Sequence, residues 1–203
     1  LVVLSDEVYD QITYDGAEFV PMASLVHDTL CATYSGLSKV YRACGYRVGW
    51  VALSGNREGA SAYVHALETL AALRLCSNVP GQWAVQTALG GYQSIRDLTA
   101  PGGRLHEARR AVVDAVAASE SFDLVVPRGA MYAFLRLRPE AVRDFDDEAF
   151  ALELLEQRHV LVVPGSSFNF PRRDHLRITL LPDNDTLAEV FSRMEQVLAG
   201  WRR

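Results

Sequence analysis

Leu1-Val2-Val3-Leu4 is an unbroken apolar run closed by Ser5-Asp6-Glu7, the pattern of a short strand buried on both faces. Tyr14-Asp15-Gly16 is a turn signal, and residues 29–34 read as a second strand that delivers the chain to Lys39. Residues 47–53 alternate in part and predict a third strand, broken by Ser54-Gly55-Asn56. Over residues 58–75, Tyr63, Leu67, Leu70 and Leu73 recur at helical spacing with alanines between them, which predicts a long helix. Val79-Pro80 opens another, running to about Ile95, with the proline in the first turn where its missing N–H costs nothing. Residues 103–119 set Arg104, Glu107, Arg109 and Arg110 against Leu105, Ala108, Val112, Val113 and Val116, an amphipathic helix that leads into a second domain.

Beyond that helix the rhythm changes. Strands are predicted over 122–126, 131–137, 160–163 and 176–180, with a turn at Arg128-Gly129-Ala130. Helices are predicted over 146–158 and 185–198, the last capped near Asn184. The fold class is α/β: residues 1–100 finish a large domain built on a mainly parallel sheet, and residues 101–203 form a small α+β domain.

Composition narrows the function classes. The chain has 203 residues, 49% of them hydrophobic, enough for a substantial core. Its net charge of -5 and scattered basic residues give no field for nucleic acid. No apolar run reaches the ~18 residues that a membrane span needs. Cys31, Cys44 and Cys76 lie far apart with no CxxC, so neither a disulfide framework nor a zinc site is suggested, and reduced cytoplasmic thiols are the simple reading. The five histidines show no paired ligand spacing, and no metal is expected. The Gly90-Gly91 and Gly102-Gly103 pairs carry no GxxxxGK phosphate-loop pattern.

The candidate chemistry centres on Lys39, at the end of Tyr34-Ser35-Gly36-Leu37-Ser38-Lys39. A lone lysine in a sequence is ordinarily a solvated surface charge. A lysine held in a partly desolvated pocket is instead a nucleophile for an aldehyde. Asp6 lies at the carboxyl end of the first strand, the edge where open α/β sheets bind ligands.

Asp6, Tyr9, Lys39 and Arg47, in that order and spacing, resemble the fold-type I aminotransferases that depend on pyridoxal phosphate. Residues 74–82, 86–92, 101–104, 127–132 and 175–178 extend the likeness over nearly the whole chain and resemble the bacterial glutamate-pyruvate (alanine) branch. The resemblance implies that Lys39 forms a Schiff base with pyridoxal phosphate and then moves the proton at Cα. It also implies that Asp6 meets the pyridine nitrogen, Tyr9 the phenolic oxygen, and Arg47 with Ser38 or Ser35 the phosphate. Val48, Gly49 and Trp50 read as buried around Arg47. Gly36 stands where many relatives have Ser, so the choice of serine stays open. Arg177 matches the arginine that binds the substrate α-carboxylate, and Phe168, Asn169 and Tyr41 are candidates for lining the pocket. Arg74 is close to the position where some dicarboxylate-specific relatives place a second arginine, although a solvated helix position is the simpler reading.

The implied function is ping-pong transfer of an amino group between alanine and a 2-keto acid, 2-oxoglutarate or pyruvate, in a cytoplasmic homodimer. The family's members are about twice this length, so the resemblance further implies that this chain is the carboxyl-terminal half and depends on the other half for activity. Alternatives are a pyridoxal-phosphate-dependent lyase, an aminotransferase of other specificity, or a regulator domain that binds the cofactor without turnover.

Overall fold

The computed structural model describes residues 1–202. The chain forms two compact units, Leu1–Asp97 and Leu98 onward. The first holds a three-stranded sheet in the order β1 (Val2–Asp6), β2 (Leu30–Gly36), β3 (Gly49–Gly55). β1 runs parallel to β2, from Val2 opposite Leu30 to Asp6 opposite Tyr34; β3 runs antiparallel to β2, ending at Gly36 opposite Gly49. Leu30, Cys31 and Ala32 are buried, whereas Leu4 is exposed despite the apolar run. β1 is an edge strand paired on one side alone, so the cover that such a run calls for is incomplete within this unit.

α1 (Ser61–Arg74) forms where its spacing predicts, yet it fully buries no residue, and Leu70 and Leu73 face solvent. α2 (Val79–Gly90) starts at Asn78, whose side chain accepts from the Gly81 amide at 3.2 Å. It stops short of Ile95. The Gln93 side-chain amide donates to the carbonyls of Ala88 (2.9 Å) and Gly91 (2.8 Å), supplying partners that a continued helix would otherwise provide. α3 (Ile95–Thr99) follows.

The second unit is a four-stranded antiparallel sheet with three helices. α4 (Arg104–Ala118) precedes β4 (Phe122–Leu124) and β5 (Tyr132–Leu137); α5 (Asp147–Arg158), β6 (Val163–Pro164), β7 (His175–Thr179) and α6 (Asn184–Trp201) complete it. The strand order is β4-β5-β7-β6. Leu105, Ala108, Val112 and Val116 of α4 and Leu187, Phe191, Met194 and Leu198 of α6 make two apolar stripes. They enclose Phe122, Leu135, Phe150, Leu154 and Leu176 in one core. β5 alternates strictly: Ala133, Leu135 and Leu137 are buried, while Tyr132, Phe134 and Arg136 take the other face.

Boundaries in this unit also differ from the sequence reading: β4, expected over 122–126, ends at Leu124. The strand expected over 160–163 pairs only at Val163 and Pro164, although Val160 and Val162 are buried. β6 is an edge strand whose proline lacks an N–H to donate, and the chain turns at once into a 3-10 helix, Gly165–Phe168. The last helix is capped by Asp183, one residue before Asn184, through an acceptor bond from the Thr186 amide at 2.7 Å.

Candidate active site

Because β1 and β2 are parallel, their carboxyl ends leave the sheet at one edge, and antiparallel β3 enters at that same edge. Asp6 ends β1 and Tyr9 lies in the turn beyond it; Lys39 is three residues past the end of β2, and Arg47 two residues before β3. Four residues spread over 42 positions of sequence are thereby gathered along one sheet edge.

The turn that carries Lys39 is pinned on both flanks. Leu37 and Val40 are buried, the Leu37 amide donates to Val48 O (3.0 Å), and the Arg42 amide donates to Lys39 O (3.1 Å). Lys39 itself is half-buried, with Nζ 5.8 Å from the centroid of the Tyr9 ring. Asp6 is exposed and accepts a weak local bond from the Val8 amide (3.3 Å). Its neighbour Glu7 is buried and structural: it accepts from Ser5 Oγ (3.0 Å) and the Met22 amide (2.8 Å), tying down the following loop. Burial pushes the Asp10 carboxyl up, and burial followed by the Asp10 charge pushes the Tyr41 phenol up.

Arg47 differs from its expected setting. It lies outside β3 in the left-handed region (φ 53), closing a 3-10 turn, Cys44–Tyr46. Its Nη1 donates to Cys44 O at 2.7 Å and the residue is exposed. Of its three neighbours only Val48 is buried; Gly49 is exposed and Trp50 half-buried. The β2–β3 pairing at Gly36 and Gly49 claims the strand positions, which leaves Arg47 in the entering turn. Ser38 and Ser35 are both half-buried. A cavity of about 450 Å³ lies beside this turn, lined by Leu37, Val40, Tyr41, Arg42, Tyr46 and Ser94 among others; Arg42 is already bonded there to Ser94 Oγ (2.6 Å).

Arg177 belongs to the second unit. It lies in the middle of β7, opposite Phe134 on one side and Val163 on the other. Its guanidinium carbon is 4.5 Å from the Tyr132 ring centroid and 4.7 Å from that of Phe168. Nε is buried and finds no acceptor among the described residues. By contrast Arg136, Arg138, Arg172 and Arg173 each reach an aspartate. The ring of Tyr132 is the contact that residue patterns missed, since nothing in the sequence links it to a strand 45 positions away.

The family model described as "Aminotransferase class I and II" matches residues 1–194. The chain belongs to the class I and II aminotransferases. An alanine aminotransferase of Mycobacterium tuberculosis is 46% identical over 203 residues, all of this chain and 47% of that protein. The glutamate-pyruvate aminotransferase AlaA of Escherichia coli is 43% identical, again over the whole chain and 50% of the relative. A crystal structure of an aminotransferase from Escherichia coli superposes with a TM-score of 0.95 at 43% identity, covering 100% of this chain and 50% of that one. The chain thus spans about half the length of the curated relatives it matches. In this aminotransferase sequence a further signal was there to be read: Lys39 is its one lysine, and the other 19 of its 20 Lys and Arg positions are arginine.

Proposed function

We propose that this chain carries the lysine-bearing part of a pyridoxal-phosphate-dependent aminotransferase, working as a cytoplasmic homodimer between alanine and 2-oxoglutarate or pyruvate. The observation that carries the reading is the convergence of Asp6, Tyr9, Lys39 and Arg47 at one sheet edge in a member of this family. The donor set fits the cofactor group by group: a primary amine for an aldehyde, a carboxylate for a pyridinium N–H, a phenol for a ring oxygen, and a guanidinium for a phosphate. The choice of alanine follows the names of the relatives.

Pyridoxal phosphate, when bound, supplies a reactive aldehyde and a ring that draws electrons from the amino acid Cα. Lys39 would provide the amine that holds the cofactor and, once displaced by substrate, the base that takes the proton from Cα and, as acid, delivers it to the carbon that had been the cofactor's aldehyde. Asp6 keeps the ring nitrogen protonated by accepting its hydrogen bond. Tyr9 donates its hydroxyl to the ring oxygen from beside the lysine. Arg47 has donors left after its bond to Cys44 and takes the phosphate, with Ser38 or Ser35 adding a hydroxyl. Arg177 receives the substrate α-carboxylate.

The test is incubation with pyridoxal phosphate, borohydride reduction and peptide mapping. The reading expects the reduced adduct on Lys39. Lys39 is the one lysine of this sequence, and in the protein assembled to its relatives' full length an adduct found on another amine with Lys39 unlabelled would sink the reading.

A further inference from the structure

Arg177 is held in an unusual manner for a charged residue of this unit. Arg136, Arg138, Arg172 and Arg173 each lie within ion-pair distance of an aspartate. The Arg177 guanidinium instead has two aromatic rings within cation–π distance, and its buried Nε, like that of Arg136, has no acceptor among the described residues. A carboxylate partner would occupy the N–H groups; an aromatic ring attracts the cation through its π face and leaves those groups unused. The rings are themselves fixed. Tyr132 stands on β5, two residues from the Phe134 that faces Arg177 across the ladder, so it is a diagonal neighbour on the same face. Phe168 ends the 3-10 helix Gly165–Phe168, and its ring meets the Phe134 ring edge-on at 6.2 Å and 86°. Gly165, which starts that helix, admits no side chain: a Cβ there would stand 2.8 Å from the His175 Cβ.

We infer that Tyr132 and Phe168 are positioning residues for substrate: they fix the plane of the Arg177 guanidinium while leaving its donors free for a carboxylate of an amino or keto acid. The inference rests on the proposed carboxylate role of Arg177. Two parallel hydrogen bonds to a carboxylate require the two planes to coincide, so a guanidinium already fixed in plane loses less freedom on binding. The aromatic contacts thereby favour a planar, singly charged carboxylate over inorganic anions of tetrahedral shape.

The test is an NMR titration of the 15N-labelled protein with pyruvate, following arginine Nε–H signals and assigning that of Arg177 as the one lost in Arg177→Lys. Pyruvate is expected to move this signal in the parent protein. Phe168→Leu and Tyr132→Leu are expected to weaken pyruvate binding about five- to tenfold each, whereas Phe168→Tyr and Tyr132→Phe, which keep the ring, stay within about twofold. Leu variants that bind as the parent does, with the Arg177 signal still moving, overturn the positioning role and leave the carboxylate role standing. Pyruvate that moves no Arg177 signal overturns both. Should a Leu variant fail to fold, the parent protein still decides: two adjacent rings displace the Arg177 Nε–H signal upfield of the other arginines, and an ordinary position for that signal overturns the inference.

Discussion

Gly36 and Gly49 face one another at the end of the β2–β3 ladder so closely that a side chain on either would require the backbone to shift. A Cβ on Gly36 would stand 2.8 Å from the Val48 carbonyl oxygen, and one on Gly49 would stand 2.8 Å from that of Ser35. This contact joins the turn bearing Lys39 to the turn bearing Arg47, so the two glycines set the spacing between the proposed amine and phosphate sites. Gly36→Ala is expected to lower stability by about 1–3 kcal/mol, because backbone must move to admit the methyl group. Urea unfolding monitored by circular dichroism checks it, and an unchanged midpoint would show that the ladder end is more pliant than its geometry indicates.

Lys39→Ala should abolish the borohydride-reducible adduct while leaving the far-UV spectrum intact, since the residue lies in a turn held by its neighbours Leu37 and Val40. Mass mapping reads this from a single peptide, because Lys39 is the one lysine of this sequence. In the protein assembled to its relatives' full length, a reducible adduct retained on another lysine of the Lys39→Ala variant would remove Lys39 from the cofactor site.

Arg177→Ala should weaken binding of amino and keto acids alike by about tenfold or more, the loss of a charge-assisted pair worth roughly 1.5–3 kcal/mol. Arg177→Lys should recover little, because an ammonium lacks the planar fork. Equal affinity for pyruvate in the alanine variant and its parent would move the carboxylate site elsewhere.

Acid should destabilise the second unit through its helix caps. The Ala149 amide, followed by the Arg173 guanidinium, holds the Asp146 carboxyl below its ordinary value of 3.8, and the Thr186 amide does the same for Asp183. A carboxyl depressed in the folded state contributes stability that is present in full above the unfolded value and is lost as the pH falls through the folded one. Asp146→Ala is accordingly expected to cost about 1 kcal/mol at neutral pH. The gap to the parent should close below pH 3.8, as thermal melts across that range would show. A gap that persists undiminished into strong acid would mean that packing, rather than the ionised cap, is what the variant loses.

The helices α4 and α6 were legible because one apolar stripe at helical spacing suffices to place them, and β5 because its alternation is strict. Where local rules compete, the sequence was less decisive. Pro80 marked the start of α2, but its end depended on Gln93 turning back onto the last carbonyls, a bond that no periodicity signals. Arg47 read as the opening of a strand with buried neighbours, and it is instead an exposed left-handed turn residue, because the glycine pairing fixes where β3 begins.

For the candidate site, Asp6, Tyr9, Lys39, Arg47 and Arg177 were picked out by resemblance to the aminotransferase family, which their types, order and spacing carry. What only the tertiary structure decided is how they are presented. The direction of β1 relative to β2 brings Asp6 and Lys39 to one edge, and it depends on long-range pairing that a linear string does not encode locally. The cross-strand register of β5 and β7 sets Tyr132 beside Arg177, with Phe168 reaching the same guanidinium from the loop after β6. Chemical identity is a property of the residues, but contact between residues tens of positions apart exists only once the sheets have formed.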